Sequence, residues 1–273
     1  MTDFAKGAVS TMDHAPLLTR LSMRSFLLLP FLLAFSLSGQ AAELIDNRRE
    51  YNACLDLARQ DPSTAYEHAV GWQGLGGGEA ALHCQAVALM YLGKNDEAAY
   101  RLERLAETTK LPPHRRAEML AQAAQAQLML NNLERANANQ TVAIGLDPRN
   151  PDLFIDRSVT LFAAGDFAGA VKDLDQAILL APKRAEAFAL RAATKRFQDQ
   201  IDAALKDAEE AVKLSQGHYP EALLERGILR RLKGDKQGAR SDWVALLNEN
   251  PDGDTADAAR RNLELMDVKG ADR

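Results

Sequence analysis

The chain reads as all-α, a solenoid of stacked helix-turn-helix units, and three observations predict this. Hydrophobic residues make up 47% of its 273 residues but aromatics only 6%. A core of alanine and leucine without β-branched runs suits closely packed helices and almost no strand. Pro148 and Pro182 lie 34 residues apart, and Pro251 follows 69 later, two such periods plus one residue. Small residues then recur in register, as Ala98, Ala136, Ala170, Ala204 and Ala239 in one column and Ala86, Ala124, Ser158, Ala192 and Gly227 in another. Antiparallel helices approach to about 8–10 Å where they cross, and a large side chain there would force them apart.

The first element is a leader. Ser25 to Leu37 (SFLLLPFLLAFSL) is apolar, follows Arg24 and runs into the small residues Ser38-Gly39-Gln40-Ala41. This pattern predicts a signal peptide over residues 1–41, with Met23 as the suspected true start. The stretch is short for a membrane span of about 20 residues, which argues against the alternative, a retained anchor. Residues 1–41 hold three basic and two acidic residues, so their removal lowers the formal charge from -5 to -6. The expected location is periplasmic or secreted. No basic stripe with interleaved aromatics appears, which excludes the electrostatic footprint of nucleic-acid binding.

Residues 42–78 come next, as a helix pair over Asn47 to Gln60 and Pro62 to Gln73 ending at Gly74-Leu75-Gly76-Gly77-Gly78. Cys54 and Cys84 are the two cysteines, both on expected helices. In an oxidising compartment the even pair suggests one disulfide tying the first helix to a later one. The alternative is two buried free thiols packing as small apolar residues.

Residues 79–252 hold five repeat units. Asp152, Glu186 and Glu221 each precede Pro182, Gln216 and Pro251 by 30 residues, so the extra residue sits near Gly217. A third column, Leu105, Ala143, Ala177, Ala211 and Leu246, is less strict at its ends. Gly93-Lys94, Asn131-Asn132, Gly165-Asp166, Asp199-Gln200 and Gly234-Asp235 stand between the two helices of each unit. These residues tolerate left-handed backbone or favour turns.

Phe154, Gly165-Asp166-Phe167, Ala170, Leu174, Ala177 and Pro182 resemble a tetratricopeptide repeat, with its A-x3-F/L-x2-A-x4-P ending. The best copy is 151–182, and the resemblance extends over about 79–252. It implies a right-handed superhelical stack whose leading helices line a concave, protein-binding groove. Departures are Lys195 and Arg230 at positions that prefer an aromatic, Lys110 and Gln216 for the closing proline, and a longer first connection through Leu111-Pro112-Pro113. Residues 253–273 supply a capping amphipathic helix, Thr255 to Met266, and a tail expected to fray after Asp267.

Two charge patterns follow the repeat. Arg157, Arg191 and Arg226 each precede Asp173, Asp207 and Asp242 by 16 residues, and in the second unit both charges vanish together, as Ala123 and Asn139. That covariation predicts structural arginine-carboxylate bridges across each hairpin. Glu118, Asp152, Glu186 and Glu221 form a second column, placed in the first turn of each leading helix, where a carboxylate contributes about 0.3–1 kcal/mol against the helix dipole. The resemblance points this column into the groove, where it would repel acidic ligands or attract basic ones.

Catalytic patterns are not found. His68, His83, His114 and His218 lack the H-E-x-x-H spacing of a zinc site, and His83 beside Cys84 points about 100° away from it on a helix. The run Gly74 to Gly78 is followed by Glu79 where a phosphate-binding fingerprint needs its third glycine, and no G-x-S-x-G elbow occurs. No enzyme activity, metal or cofactor is expected. Helical spacing and the family register place Glu118, Gln122, Gln125, Asp152, Asp156, Val159, Phe162, Glu186, Arg196, Phe197, Glu221, Glu225, Ile228 and Arg231 in the groove. It lacks the lysine and asparagine clamp with which chaperone-binding relatives hold a terminal carboxylate. The expectation is an adaptor that holds a peptide or helix of a partner protein in this groove. The alternative is an accessory subunit of an envelope assembly that uses its convex face or ends.

Overall fold

The computed structural model describes residues 47–271, with side chains through Asp267. The leader and the start at Met23 lie outside the described residues. Among those described there is no strand, and no helix is long and apolar enough to cross a membrane. Thirteen α-helices follow in order: α1 (Asn47–Gln60), α2 (Pro62–Trp72), α3 (Gly78–Tyr91), α4 (Asn95–Thr108), α5 (Pro113–Met129), α6 (Leu133–Leu146) and α7 (Pro151–Ala163). The series continues with α8 (Phe167–Leu180), α9 (Ala185–Phe197), α10 (Ile201–Leu214), α11 (Pro220–Leu232), α12 (Lys236–Glu249) and α13 (Asp254–Ala271). Each packs on its neighbours in sequence, giving an all-α repeat solenoid in which α3 to α12 are five helix hairpins.

The hairpin turns explain the unit length. One residue per turn has left-handed backbone: Gly93 (φ 72°), Asn131 (57°), Gly165 (80°), Asp199 (59°) and Gly234 (89°). Asparagine and aspartate are the residues other than glycine that tolerate this region best. The next residue caps the trailing helix in three units, where the side chains of Asn132, Asp166 and Asp235 accept from the amides of Arg135, Gly169 and Gly238. The extra residue of the fourth unit is absorbed by two consecutive positive φ values, Gln216 at 54° and Gly217 at 84°.

Both small columns are buried at the helix crossings. Gly227 shows why the last unit needs the smallest residue. The indole of Trp243 in α12 occupies the space that a Cβ at 227 would take, 2.3 Å from its Nε1. Arg157 binds Asp173 through Nε (2.7 Å) and Nη2 (2.8 Å), and Arg191–Asp207 and Arg226–Asp242 repeat this two-point geometry. The family departures Lys195 and Arg230 each add a second cation to the same carboxylates, at 2.7 Å from Asp207 and 2.9 Å from Asp242. In the first unit a hydrogen bond to a neutral amide takes the place of the ion pair, with the arginine on the other helix. Arg101 on the trailing helix donates to Gln85 on the leading one, again 16 residues apart.

At the N-terminal end α1 and α2 pack on α3. Cys54 and Cys84 are fully buried and joined by a disulfide with a Cα–Cα distance of 6.3 Å. The glycine run is a π turn over Gln73–Gly77 that leads directly into α3, with Gly76 at φ 95°. At the other end α13 packs against α11 and α12, burying Ala256, Ala259 and Met266 beside Trp243.

The last helix runs through Ala271. One expectation is corrected. Glu118 does not lie in the first turn of its helix. Pro113 starts α5 five residues earlier, so Glu118 is in the second turn, where the dipole effect has largely faded.

Candidate functional site

The leading helices α7 and α9 face each other across a shared wall, and their composition changes along its width. On α7 the residues at helical spacing are Asp152, Asp156, Val159 and then Phe162; on α9 they are Glu186, Leu190, Ala193 and Phe197. One edge is therefore acidic and the other aromatic. Ten residues separate Asp152 from Phe162, so the edges stand about 15 Å apart at 1.5 Å per residue. A cavity of about 100 Å³ opens between them, lined by Ser158, Val159, Phe162, Leu190, Ala193 and Thr194.

The aromatic edge is a three-ring cluster. Phe162 meets Phe197 edge-on at 4.9 Å and Phe167 at 5.2 Å, while Phe167 and Phe197 stack at 5.6 Å. Such pairs favour these offset geometries. Phe197 nevertheless remains 54% exposed. The Arg196 guanidinium lies over the Phe197 ring at 4.8 Å and donates to both oxygens of Glu225, at 2.6 and 3.1 Å.

The acidic edge gathers residues from three units. Arg184 bridges Asp152 (2.8 Å) and Glu186 (3.0 Å), and Glu221 accepts from Thr255 Oγ1 at 3.0 Å. Asp156 has no ion-pair partner among the described residues. It keeps exposed surface, yet it stands on a wall whose protein volume displaces bulk water around it. That desolvation, followed by the charges of Asp152 and Glu186, pushes its pKa up to about 6. Burial, then the charges of Glu221 and Glu186, pushes the Tyr219 phenol up to about 12.

Further towards the N-terminus the wall loses its charge. Gln122 and Gln125 line a cavity of about 240 Å³ between α3 and α5 together with Val87, Met90, Tyr91 and Met129. Gln122 is already engaged, because His83 Nε2–H donates to its Oε1 at 2.6 Å while the Tyr51 hydroxyl donates to His83 Nδ1 at 2.8 Å. The two bonds together imply this tautomer. Burial pushes the His83 pKa down, and the Arg115 charge adds to the effect. His83 and the disulfide thus sit side by side on α3, both tying it to α1, and no thiol-imidazole pair exists.

Of the residues expected in the groove, Asp152, Asp156, Val159, Phe162, Glu186, Phe197 and Glu221 come together on one wall with the cavity at its centre. Glu118 pairs with Arg115 at 2.6 Å, and Arg231 is half-buried at the far end of α11, its Nε without a hydrogen-bond partner. Glu225 differs from expectation: it is 6% exposed and held by Arg196. Ile228 is partly buried against the C-terminal core. Helical spacing missed Phe167, which belongs to a trailing helix, and Arg184 and Tyr219, which precede their helices. Their signal was the position just before or at a helix start. Among the described residues no group of three or more His, Cys, Asp or Glu side chains could hold a metal ion.

No protein-family model matches the chain. Tetratricopeptide repeat protein 36 of Homo sapiens is 41% identical over 111 residues, 40% of this chain and 56% of that protein. The Danio rerio protein of the same name is 38% identical over 90 residues, 32% of this chain and 48% of that protein. The chain spans about half the length of the curated relatives it matches. Among solved structures it is similar to PilW, a type IV pilus biogenesis factor, with a TM-score of 0.64 at 18% identity over 77% of this chain and 96% of that one. It is also similar to MamA, with a TM-score of 0.53 at 16% identity over 61% and 94%. YrrB, a tetratricopeptide-repeat protein with an unusual peptide-binding site, gives 0.50 at 18% identity over 66% and 91%. In motif, register and fold the repeats of this chain are of the tetratricopeptide type.

Proposed function

We propose that the chain is an exported adaptor that holds a peptide or helix of a partner protein against the wall formed by α7 and α9. One observation carries this reading: an aromatic cluster with a ring 54% exposed stands beside an apolar cavity. Large apolar side chains left open in this way mark interaction surfaces, and burying one contributes about 1.5–3 kcal/mol. The cavity holds one medium side chain and offers no converging groups for bond-breaking chemistry, so the reading is binding without turnover. The buried disulfide supports export, since such bonds persist in oxidising compartments.

A second reading, an accessory subunit of an envelope assembly, has one observation in its favour. A cleft of about 360 Å³ opens on the opposite side of the second unit, lined by Glu103, Ala106, Arg116, Leu120, Asn139 and Val142. The experiment is affinity capture with residues 42–273 and with Phe162→Ala/Phe197→Ala, from a cell-envelope fraction. A partner lost with the two rings supports the groove. A partner held equally by both forms, and released by Val142→Glu in the outer cleft, transfers the function to the other face.

A further inference from the structure

Deepening the groove reading, on which it rests, we infer that the partner segment is cationic and apolar: a Lys or Arg three or four residues from an aliphatic or aromatic side chain. The apolar residue fills the α7–α9 cavity beside Phe162, and the cation meets Asp156 and the carboxylates around it.

Charge complementarity selects this occupant. Asp152, Asp156, Glu186 and Glu221 converge on one edge of the wall, contributed by three successive units, with Arg184 among them. Arg184 contacts Asp152 and Glu186, and although its charge also reaches Asp156, Asp156 has no ion pair of its own among the described residues. An arriving ammonium or guanidinium would pair with this carboxylate and offset the repulsion from Asp152 and Glu186 and part of the desolvation penalty. At the other edge the situation is reversed. Arg196 is tied by Glu225 and lies on Phe197, so that edge presents ring faces. An acidic segment would face the four carboxylates, and a purely apolar one would leave Asp156 uncompensated.

The spacing follows from the geometry. The cavity is lined by Ser158, Val159 and Phe162 of α7, so its centre lies about one helical turn beyond Asp156. A ligand that fills the cavity and reaches Asp156 therefore separates its two anchors by about 5–6 Å, the distance between residues three or four apart on a helix. The exposed Phe197 covers the apolar anchor from the α9 side.

The test is a random library of 16-residue peptides displayed on phage and selected at pH 7.5 against the full chain, Asp156→Asn/Glu186→Gln and Phe162→Ala/Phe197→Ala. Each variant is first checked for native helicity and a cooperative melt, and Ala193→Lys, which blocks the cavity mouth, replaces the phenylalanine pair if that variant does not fold. The expected result is enrichment of Lys or Arg three or four residues from Leu, Ile, Met or Phe. That enrichment disappears on the carboxamide variant, and a synthetic peptide from the enriched set binds that variant at least tenfold more weakly. Peptides that depend on the phenylalanines but show no basic excess, or an acidic one, overturn this inference and leave the groove reading standing. Peptides enriched equally on the groove-blocked variant, or no enrichment on any form, overturn both.

Discussion

Replacing Gly227 by alanine puts one methyl group where the indole of Trp243 already lies. An ideal Cβ there falls 2.3 Å from Nε1, 2.7 Å from Cε2 and 2.8 Å from Cδ1. The ring is fully buried and its Nε1 donates to the Leu224 carbonyl at 3.2 Å, so it cannot move aside without losing that bond. Forcing a methyl group into such a core costs about 1–3 kcal/mol, and the displaced indole hydrogen bond about 1 kcal/mol more. Alanine is favoured over glycine within a helix by about 1 kcal/mol, which offsets part of this. The net expectation is about 2 kcal/mol of destabilisation, a fall in Tm of about 4–8 °C for a domain of this size. Gly145→Ala is the control. Gly145 lies in α6 with nothing within 4 Å of its Cβ position, so the same substitution raises stability by about 0.5–1 kcal/mol there. Thermal melts followed by circular dichroism compare the two. Hydrogen exchange localises the loss to α11, α12 and α13, because each repeat interacts mainly with its neighbours. A Gly227→Ala protein that melts at or above the parent temperature refutes the packing argument.

Asp207→Asn leaves Arg191 and Lys195 without their shared carboxylate, and since both cations keep some solvent contact the expected loss is about 2–3 kcal/mol by urea denaturation, below that for a fully buried pair. Cys54→Ser/Cys84→Ser opens a loop of 30 residues and costs about 3–4 kcal/mol in the chain-entropy description, visible as earlier unfolding of α1 and α2 by hydrogen exchange. His83 and Asp156 titrate with opposite effects on stability. His83 has a folded pKa below its usual 6.5, so the stability it contributes is complete above that value and is lost as pH falls, and His83→Asn flattens this acid-side slope in pH-dependent melts. Asp156 has a folded pKa raised from 3.8 to about 6, so its contribution is complete below pH 3.8 and is lost as pH rises through 6. Asp156→Asn therefore raises Tm more at pH 8 than at pH 5, and an equal change at both pH values counts against the desolvated carboxylate.

The fold was legible because repetition multiplies weak local signals. A single alanine says little, but two columns of small residues in register, with a turn residue at the same place in every unit, define a helix hairpin and its period. The Arg157–Asp173 type of bridge was legible for the same reason, through the joint loss at Ala123 and Asn139. Its counterpart in the first unit, Gln85 with Arg101, keeps the 16-residue spacing but escapes a search for arginine before aspartate.

The groove was legible only in part. Helical spacing shows which residues share a face, and it assigned Asp156 and Glu225 alike to the binding surface. The side chains around them then separated the two: Asp156 has no ion pair among the described residues, while Glu225 is closed over by Arg196 and buried. The ring cluster depended on Phe167, from a trailing helix, meeting Phe162 and Phe197 from two leading ones. By itself, then, the sequence determined the repeat, its length, its turns and its hairpin bridges, all set by contacts within one unit or between equivalent positions. Only the tertiary structure decided which groove side chains stay open, because that depends on how each unit is rotated against the next, a quantity no single repeat encodes.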